Sequence, residues 1–458
     1  MGTLMRRILK PWKVGICVLG ILLAGAATAQ NITFEGEAGL IARSFPHDGK
    51  LPEQSTQGVH TIASLRLSAS GELSFGQWVT ELNGSSDLRL DTQSFDITKA
   101  YVEGRAGRLR YLIGSDVVHW GVAEAANPVN IINQYGSFFE TNEEPRLGQP
   151  MAVLSFDTQT YGSFSFFALA GFREQDYASA SERLRFNAVP DDSRTMFEDK
   201  DDFDIALRHT NTFSFAEGSL DYGLSFFSGT DRQPVYLPGC SFRSSTVSEA
   251  TCTAINADIR GTYENLGQGR DDPLAQQIFD AASLTTQSFL ASGDSVGSIA
   301  YYQDIHQVGL ELAYTTGDWQ LKFEGAQKFT DREEYFSGVV GAEYSFGDTF
   351  QTGGDLHAAA EYIYDGRSSR QPQTFLDNDL FATIRYDFND FRDTTIAMSG
   401  LYDVHTSSNV LNVNLSFRLS DSARMELSST FVDADDPADP LTSLDGDDFF
   451  EVGVKYFF

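Results

Sequence analysis

The 458-residue chain has only 3 cysteines, too few for a disulfide scaffold. Basic side chains are scarce: 33 Lys and Arg stand against 64 Asp and Glu, a formal net charge of −31. A nucleic-acid partner needs a basic face, so that class is excluded. Outside the N-terminus no apolar run approaches the ~20 residues of a membrane-spanning helix. Catalytic signatures are missing too: there is no GxSxG, HExxH, Gly-rich phosphate loop or CxxC framework. No catalytic residue, cofactor or metal site is expected. The Asp-rich stretch Asp433, Asp435, Asp436, Asp439, Asp445, Asp447 and Asp448 lacks EF-hand spacing and reads as a solvated acidic loop. What remains is plentiful: 41% hydrophobic residues, 36 Phe, 18 Tyr and 40 Gly. That composition can bury a large surface and excludes disorder.

Residues 1–29 have the organisation of a signal peptide. Arg6, Arg7, Lys10 and Lys13 precede the apolar core Val14 to Leu23, and Ala27-Thr28-Ala29 is a small-x-small cleavage site before Gln30. The competing reading, a membrane anchor, is disfavoured by the short core. Its removal leaves 29 basic against 64 acidic side chains, a net −35. Cys17 goes with it. Cys240 and Cys252 remain, close together in a polar Ser/Thr-rich stretch, and in an exported protein such a pair is expected to form a disulfide. With no nearby His, zinc is the weaker reading.

Residues 30–458 read as one domain of alternating segments. In the last, Phe450, Val452, Val454, Tyr456 and Phe458 alternate with Glu451, Gly453 and Lys455. Period 2 with one apolar face means a strand. About 18 such segments can be counted, an even number in the range of outer-membrane barrels. Their expected spans are 31–43, 59–69, 71–82, 94–105, 108–115, 150–158, 161–171, 201–210, 218–228, 300–315, 318–328, 336–347, 355–366, 379–388, 394–404, 408–419, 421–433 and 446–458. With the N-terminus on the periplasmic side, the even connections are mostly short turns: Ser70-Gly71, Ala106-Gly107, Thr160-Tyr161, Thr316-Gly317 and Ser420-Asp421. The odd ones include all the long stretches: 44–58, 83–93, 116–149, 172–200, 229–299, 367–378 and 434–445. A sandwich of this size would show linkers, and a solenoid would show a fixed repeat. The expected fold is therefore all-β, a transmembrane antiparallel β-barrel, because in lipid only a closed barrel leaves no unpaired sheet edge.

The sequence resembles proteobacterial outer-membrane β-barrel proteins of the porin type. The ending Val452-Gly453-Val454-Lys455-Tyr456-Phe457-Phe458 is similar to their terminal aromatic strand. Tyr456 and Phe458 would be its assembly signal, read by the outer-membrane assembly machinery. A fainter likeness, Gly114, Trp120-Gly121, Glu124 and Asn127-Pro128-Val129-Asn130, matches a "G…WG…NP" segment of some large uncharacterised barrels. The resemblance implies the outer membrane of a Gram-negative bacterium, contact with its lipid and lipopolysaccharide, and small-molecule solutes as cargo. It admits a homotrimer.

Alternation assigns an inward face. Arg66, Lys99, Arg108, Arg110, Arg208, Lys322, Arg385, Arg418 and Lys455 fall on it, against Glu103, Glu311, Glu324, Glu343, Glu361, Glu426 and Glu451. A dry core could not hold so many charges; a water-filled channel can. His357 shares this face with Glu361 and reads as lumen polarity rather than an acid–base pair. Cations dominate the first half of the wall and Glu dominates 300–366. Two readings follow, a transverse field across the pore or local pairing along the wall.

Connection 116–149 carries Val117, Val118, Trp120, Val122, Ile131, Ile132, Phe138 and Phe139, which suit packing better than water. It is expected to fold inward as a constriction loop built on Trp120, Glu124, Asn127, Pro128 and Asn130, with Glu124, Glu140, Glu143 and Glu144 facing the basic wall. An external flap is the alternative. In connection 229–299, Asp272-Pro273 opens a helical pattern through Leu274, Ile278, Phe279, Ala282 and Leu290, suited to capping the pore or to meeting a neighbouring subunit. The functional expectation is a porin-like channel for passive diffusion of small polar solutes. The alternatives are a substrate-specific transporter for hydrophobic or oligosaccharide solutes, an outer-membrane hydrolase, and a structural barrel.

Overall fold

The computed structural model describes residues 30–136, 146–158, 160–185, 189–199, 203–241, 247–266, 272–293, 296–437 and 439–458. The expected leader at 1–29 lies outside them. The strands and helices run β1 (Gln30–Phe45), β2 (Gly58–Leu73), β3 (Gly76–Asp87), β4 (Thr92–Ala106), β5 (Leu109–Asp116), β6 (Gln149–Asp157), β7 (Ser163–Ala170), β8 (Met196–Phe197), β9 (Phe203–Phe215), β10 (Gly218–Thr230), β11 (Val235–Cys240), α1 (Glu249–Glu264), α2 (Leu274–Ala281), α3 (Leu284–Ser292), β12 (Val296–Tyr302), β13 (Asp304–Thr316), β14 (Trp319–Phe329), β15 (Glu334–Thr349), β16 (Gly354–Asp365), β17 (Asn378–Asp387), β18 (Thr395–Asp403), β19 (Asn409–Ser420), β20 (Ala423–Asp433) and β21 (Phe449–Phe457).

Eighteen strands form one antiparallel sheet in which each pairs with its neighbour along the chain. The wall passes from β7 to β9 and from β10 to β13, and it closes where β1 meets β21, Glu37 opposite Phe457 and Ser44 opposite Phe450. Closure leaves no strand edge unpaired, the condition for β-structure in lipid. The outward positions carry the apolar half of each alternation. Leu380, Ile384, Ile396, Met398, Val452 and Val454 are all exposed there, far more apolar surface than a water-soluble monomer tolerates. Among the described residues no helix is long and apolar enough to cross a membrane. The chain is an outer-membrane-type barrel that spans with strands.

All eighteen expected segments correspond to barrel strands, with three local differences. The expected turn at Ser70-Gly71 lies instead at 74–75, since Gly71 stays in β2 opposite Trp78. The indole occupies the space a side chain at 71 would need, 2.6 Å from where a Cβ would stand, so this glycine accommodates an aromatic partner and does not break the strand. Residues 300–302 belong to β12, which joins β8 and β11 in a separate three-stranded sheet. Arg108 lies in the exposed turn after β4, and the wall begins at Leu109.

Connection lengths are unequal. At one end lie 74–75, 107–108, 216–217, 317–318 and 421–422; at the other lie 46–57, 117–148, 171–202, 231–303, 366–377 and 434–448. The first end reads as periplasmic and the second as external.

Candidate functional site: the obstructed lumen

The lumen is occupied by the described part of connection 117–148. Trp120, Val129, Ile131 and Ile132 are buried against inward residues of six strands, Met151, Phe167, Leu169, Ala206, Phe227, Ile305 and Ala326. Trp120 meets Phe167 edge-on at 5.5 Å. The loop therefore folds inward.

Two wall carboxylates hold it. Glu324 on β14 accepts the backbone N–H groups of Val122 (2.9 Å), Ala123 (3.4 Å) and Val129 (3.1 Å), plus Asn127 Nδ2 at 3.3 Å. Glu361 on β16 accepts those of Glu124 (2.9 Å) and Ala125 (2.9 Å). A non-helical loop inside a barrel must find partners for its N–H groups, and these carboxylates supply charge-assisted ones. Gly121, at φ +128°, passes so near Glu324 that a Cβ would lie 2.8 Å from its Oε2. Asn127 opens the turn over Pro128, closed by the Asn130 N–H to the Asn127 carbonyl at 3.0 Å. Asn130 Oδ1 in turn accepts the Trp120 N–H at 3.3 Å. The WG…NP residues are thus the part of the loop that the wall grips.

The remaining charges pair locally. Arg208 meets Glu311 at 2.5 Å, and its guanidinium lies 5.3 Å from the Trp120 ring. Lys322 bridges Glu343 (2.9 Å) and Glu124 (3.1 Å). Arg66 pairs with Glu37, Lys99 with Glu81, Arg110 with Asp157, Arg385 with Asp387, Arg418 with Asp393, and Lys455 with Glu426. Glu451 meets Arg43 at 2.6 Å, Glu103 accepts from Gln77, and His357 sits between Ser345 and Asp387. Of the two charge readings, the geometry follows local pairing. Glu124 also departs from expectation: it meets Lys322 in the Glu-rich half, because the loop's grip on Glu324 and Glu361 carries it there. Glu140, Glu143, Glu144, Phe138 and Phe139 lie outside the described residues.

Connection 171–202 leaves the wall at β7 and returns at β9, yet its tip docks across the ring at the β1–β21 seam. Leu184 packs on Phe45 and Phe449. Arg183, almost fully buried, donates from Nε to Asp447 at 2.8 Å and from Nη1 to the His47 carbonyl at 2.8 Å. This strap crosses the external mouth. Beside it stands a dome built from connection 231–303. Helix α1 lays Cys252, Ile255, Ile259 and Tyr263 against Val235 and Leu237 of β11 and Tyr301 of β12, and the Cys240–Cys252 disulfide closes it. The dome rests on the barrel's rim through Tyr263 Oη to the Arg370 carbonyl (2.8 Å) and Gln303 to Gln371 (3.0 Å). The expected helix after Pro273 is present, but Ala282 ends α2 and Leu290 belongs to α3.

Two cavities flank the inward loop. The external one, about 540 Å³, lies between Glu124–Asn130 and connection 366–377. The other, also about 540 Å³, lies beneath Gly121 and Val122 among Asp157, Arg208, Asn211, Asp221 and Glu311. Sequence reasoning missed Arg232, which donates from Nε to the Ile132 carbonyl (3.1 Å) and pairs with Asp204 (2.9 Å). It also missed Asn133, which ties Val118 to Leu147. Both act on backbone atoms distant in the chain, and no local pattern announces them. Helix α1 was missed as well, although Cys252, Ile255, Ile259 and Tyr263 are spaced for one helical face.

A closed eighteen-stranded wall with an inward-folded loop is the architecture of outer-membrane porins. The solved structure of Pseudomonas aeruginosa OccK2 (OpdF) in complex with glucuronate shares it, with a TM-score of 0.50 at 10% identity over 93% of this chain and 97% of that one. A BenF-like porin from Pseudomonas fluorescens aligns with TM-score 0.47 at 7% identity over 94% and 98%, and Acinetobacter baumannii OccAB3 with 0.44 at 10% over 93% and 99%. No protein-family model and no curated protein matches the chain.

Proposed function

We propose that the chain is an outer-membrane channel through which small polar solutes diffuse passively, narrowed by residues 117–136. The observation that carries this reading is the pair of cavities on the two sides of that loop, in a barrel whose inward face is ion-paired and polar. A structural barrel would fill this space. The inward charged residues that the loop leaves open, His357 among them, line the path, and Trp120, Glu124, Asn127, Pro128 and Asn130 form its narrowing. Lipid and lipopolysaccharide surround the wall. Tyr456 and Phe458, exposed on the outer face, present the assembly signal. Purified protein in a planar bilayer is expected to give discrete current steps; their absence, even after deletion of 229–299, would end the channel reading.

A further inference from the structure

We propose that the external cavity is a binding site for uncharged amphipathic solutes, molecules with an aromatic or cyclic body bearing hydroxyl or carbonyl groups and no net charge. This deepens the channel reading and rests on it. Size comes first: about 540 Å³ falls within the ~300–1,000 Å³ of small-molecule pockets. The lining comes second. Phe375, Leu376, Phe381 and Leu401, half-buried, form one bank of it, continuous with Val339 and Ile363, which are buried against Ala123 of the inward loop.

The charges decide the class of solute. Five charged residues line the cavity: Glu124, Arg232, Lys328, Asp365 and Arg367. Each already has an ion-pair partner. Glu124 meets Lys322 at 3.1 Å, Arg232 meets Asp204 at 2.9 Å, Lys328 meets Asp231 at 3.2 Å, and Arg367 meets Asp365 at 2.6 Å. Arg367 spends Nη1 as well, on Gln233 and the Pro372 carbonyl. A carboxylate entering here would lose its water and find each lining cation already ion-paired, and the Nη2 that Arg232 leaves without a partner is itself buried; such a transfer is unfavourable without a new partner. An apolar ring loses little water and gains contact with the apolar bank. Gln373, a neutral side chain exposed in the adjoining loop, is there to meet its hydroxyls.

The test uses the purified full chain and three probes: 4-hydroxybenzyl alcohol, 4-hydroxybenzoate and glucose. Two readouts run side by side, interruption of single-channel current and saturation-transfer NMR of binding in detergent. The alcohol is expected to act at concentrations on the order of tenfold below those of the other two. Leu401→Asn and Phe381→Ser should weaken it by about tenfold, with the heat-modifiable gel migration of the folded wall preserved. Leu401→Lys, which adds a cation with no partner, should shift preference to the carboxylate. Equal action of all three probes, or preference of the unmodified protein for 4-hydroxybenzoate, overturns the proposal. Binding of the alcohol without any current would overturn the channel and leave the cavity's preference standing.

Discussion

Glu324 is the residue on which the inward loop most depends. Three backbone N–H groups and one side-chain amide converge on a single carboxylate. Glu324→Gln keeps the shape but turns an N–H₂ toward donors. Losing hydrogen bonds to a charged acceptor costs about 1.5–3 kcal/mol, so the loop should loosen by roughly 2 kcal/mol. Amide exchange at Val122 and Val129 should quicken, and the channel current should grow and become noisier; unaltered exchange would show that the clamp is idle. A second residue concerns pH. Burial, and then the nearby carboxylates of Asp403 and Asp439, hold the Asp377 carboxyl above its ordinary range; His405 opposes them, and Asp365 adds to them. Asp377 is therefore a cost to connection 366–377 at neutral pH, relieved as pH falls through its raised pKa. Asp377→Asn should slow proteolysis of that connection at pH 7 and flatten its pH dependence. A variant nicked as fast as the parent would refute this.

At the scale of elements, the strap is the feature to perturb. Arg183 and Asp447 form a nearly fully buried pair, and leaving one such charge alone costs about 3–5 kcal/mol. Arg183→Ala or Leu184→Asp should free the tip of 171–202 and widen the mouth, raising conductance while the wall's heat-modifiable gel migration persists. Conductance equal to the parent's would mean that the strap does not obstruct the path. Elements were also where the sequence was most and least informative. Strands such as β19 and β21 were legible because a lipid-facing wall imposes strict alternation. The inward direction of 117–148 was legible from Trp120, Ile131 and Ile132, apolar residues with nothing to bury them outside. The strap was not, because Arg183 and Leu184 are ordinary loop residues until β1 and β21 come together beneath them.

For the whole molecule, the net charge of −31 is a poor guide to what passes through. Most of the wall's charges pair within a few ångströms of each other, while Glu324, Glu361 and Glu103 meet neutral donors, so little long-range field survives in salt. The parent channel is expected to be nearly unselective between cations and anions, and Arg208→Gln, by freeing Glu311, should move the reversal potential toward cation preference. A strongly selective parent would contradict the pairing. The seam between β1 and β21 has a further consequence, one of timing. It joins strands from the two ends of the wall, so it is the pairing with the greatest cost in chain entropy and the slowest to form by topology. Until it forms, the sheet keeps two raw edges, each a template for unwanted pairing. The barrel therefore has no safe half-built stage, and the chain must be kept apart from its copies until its first and last strands meet.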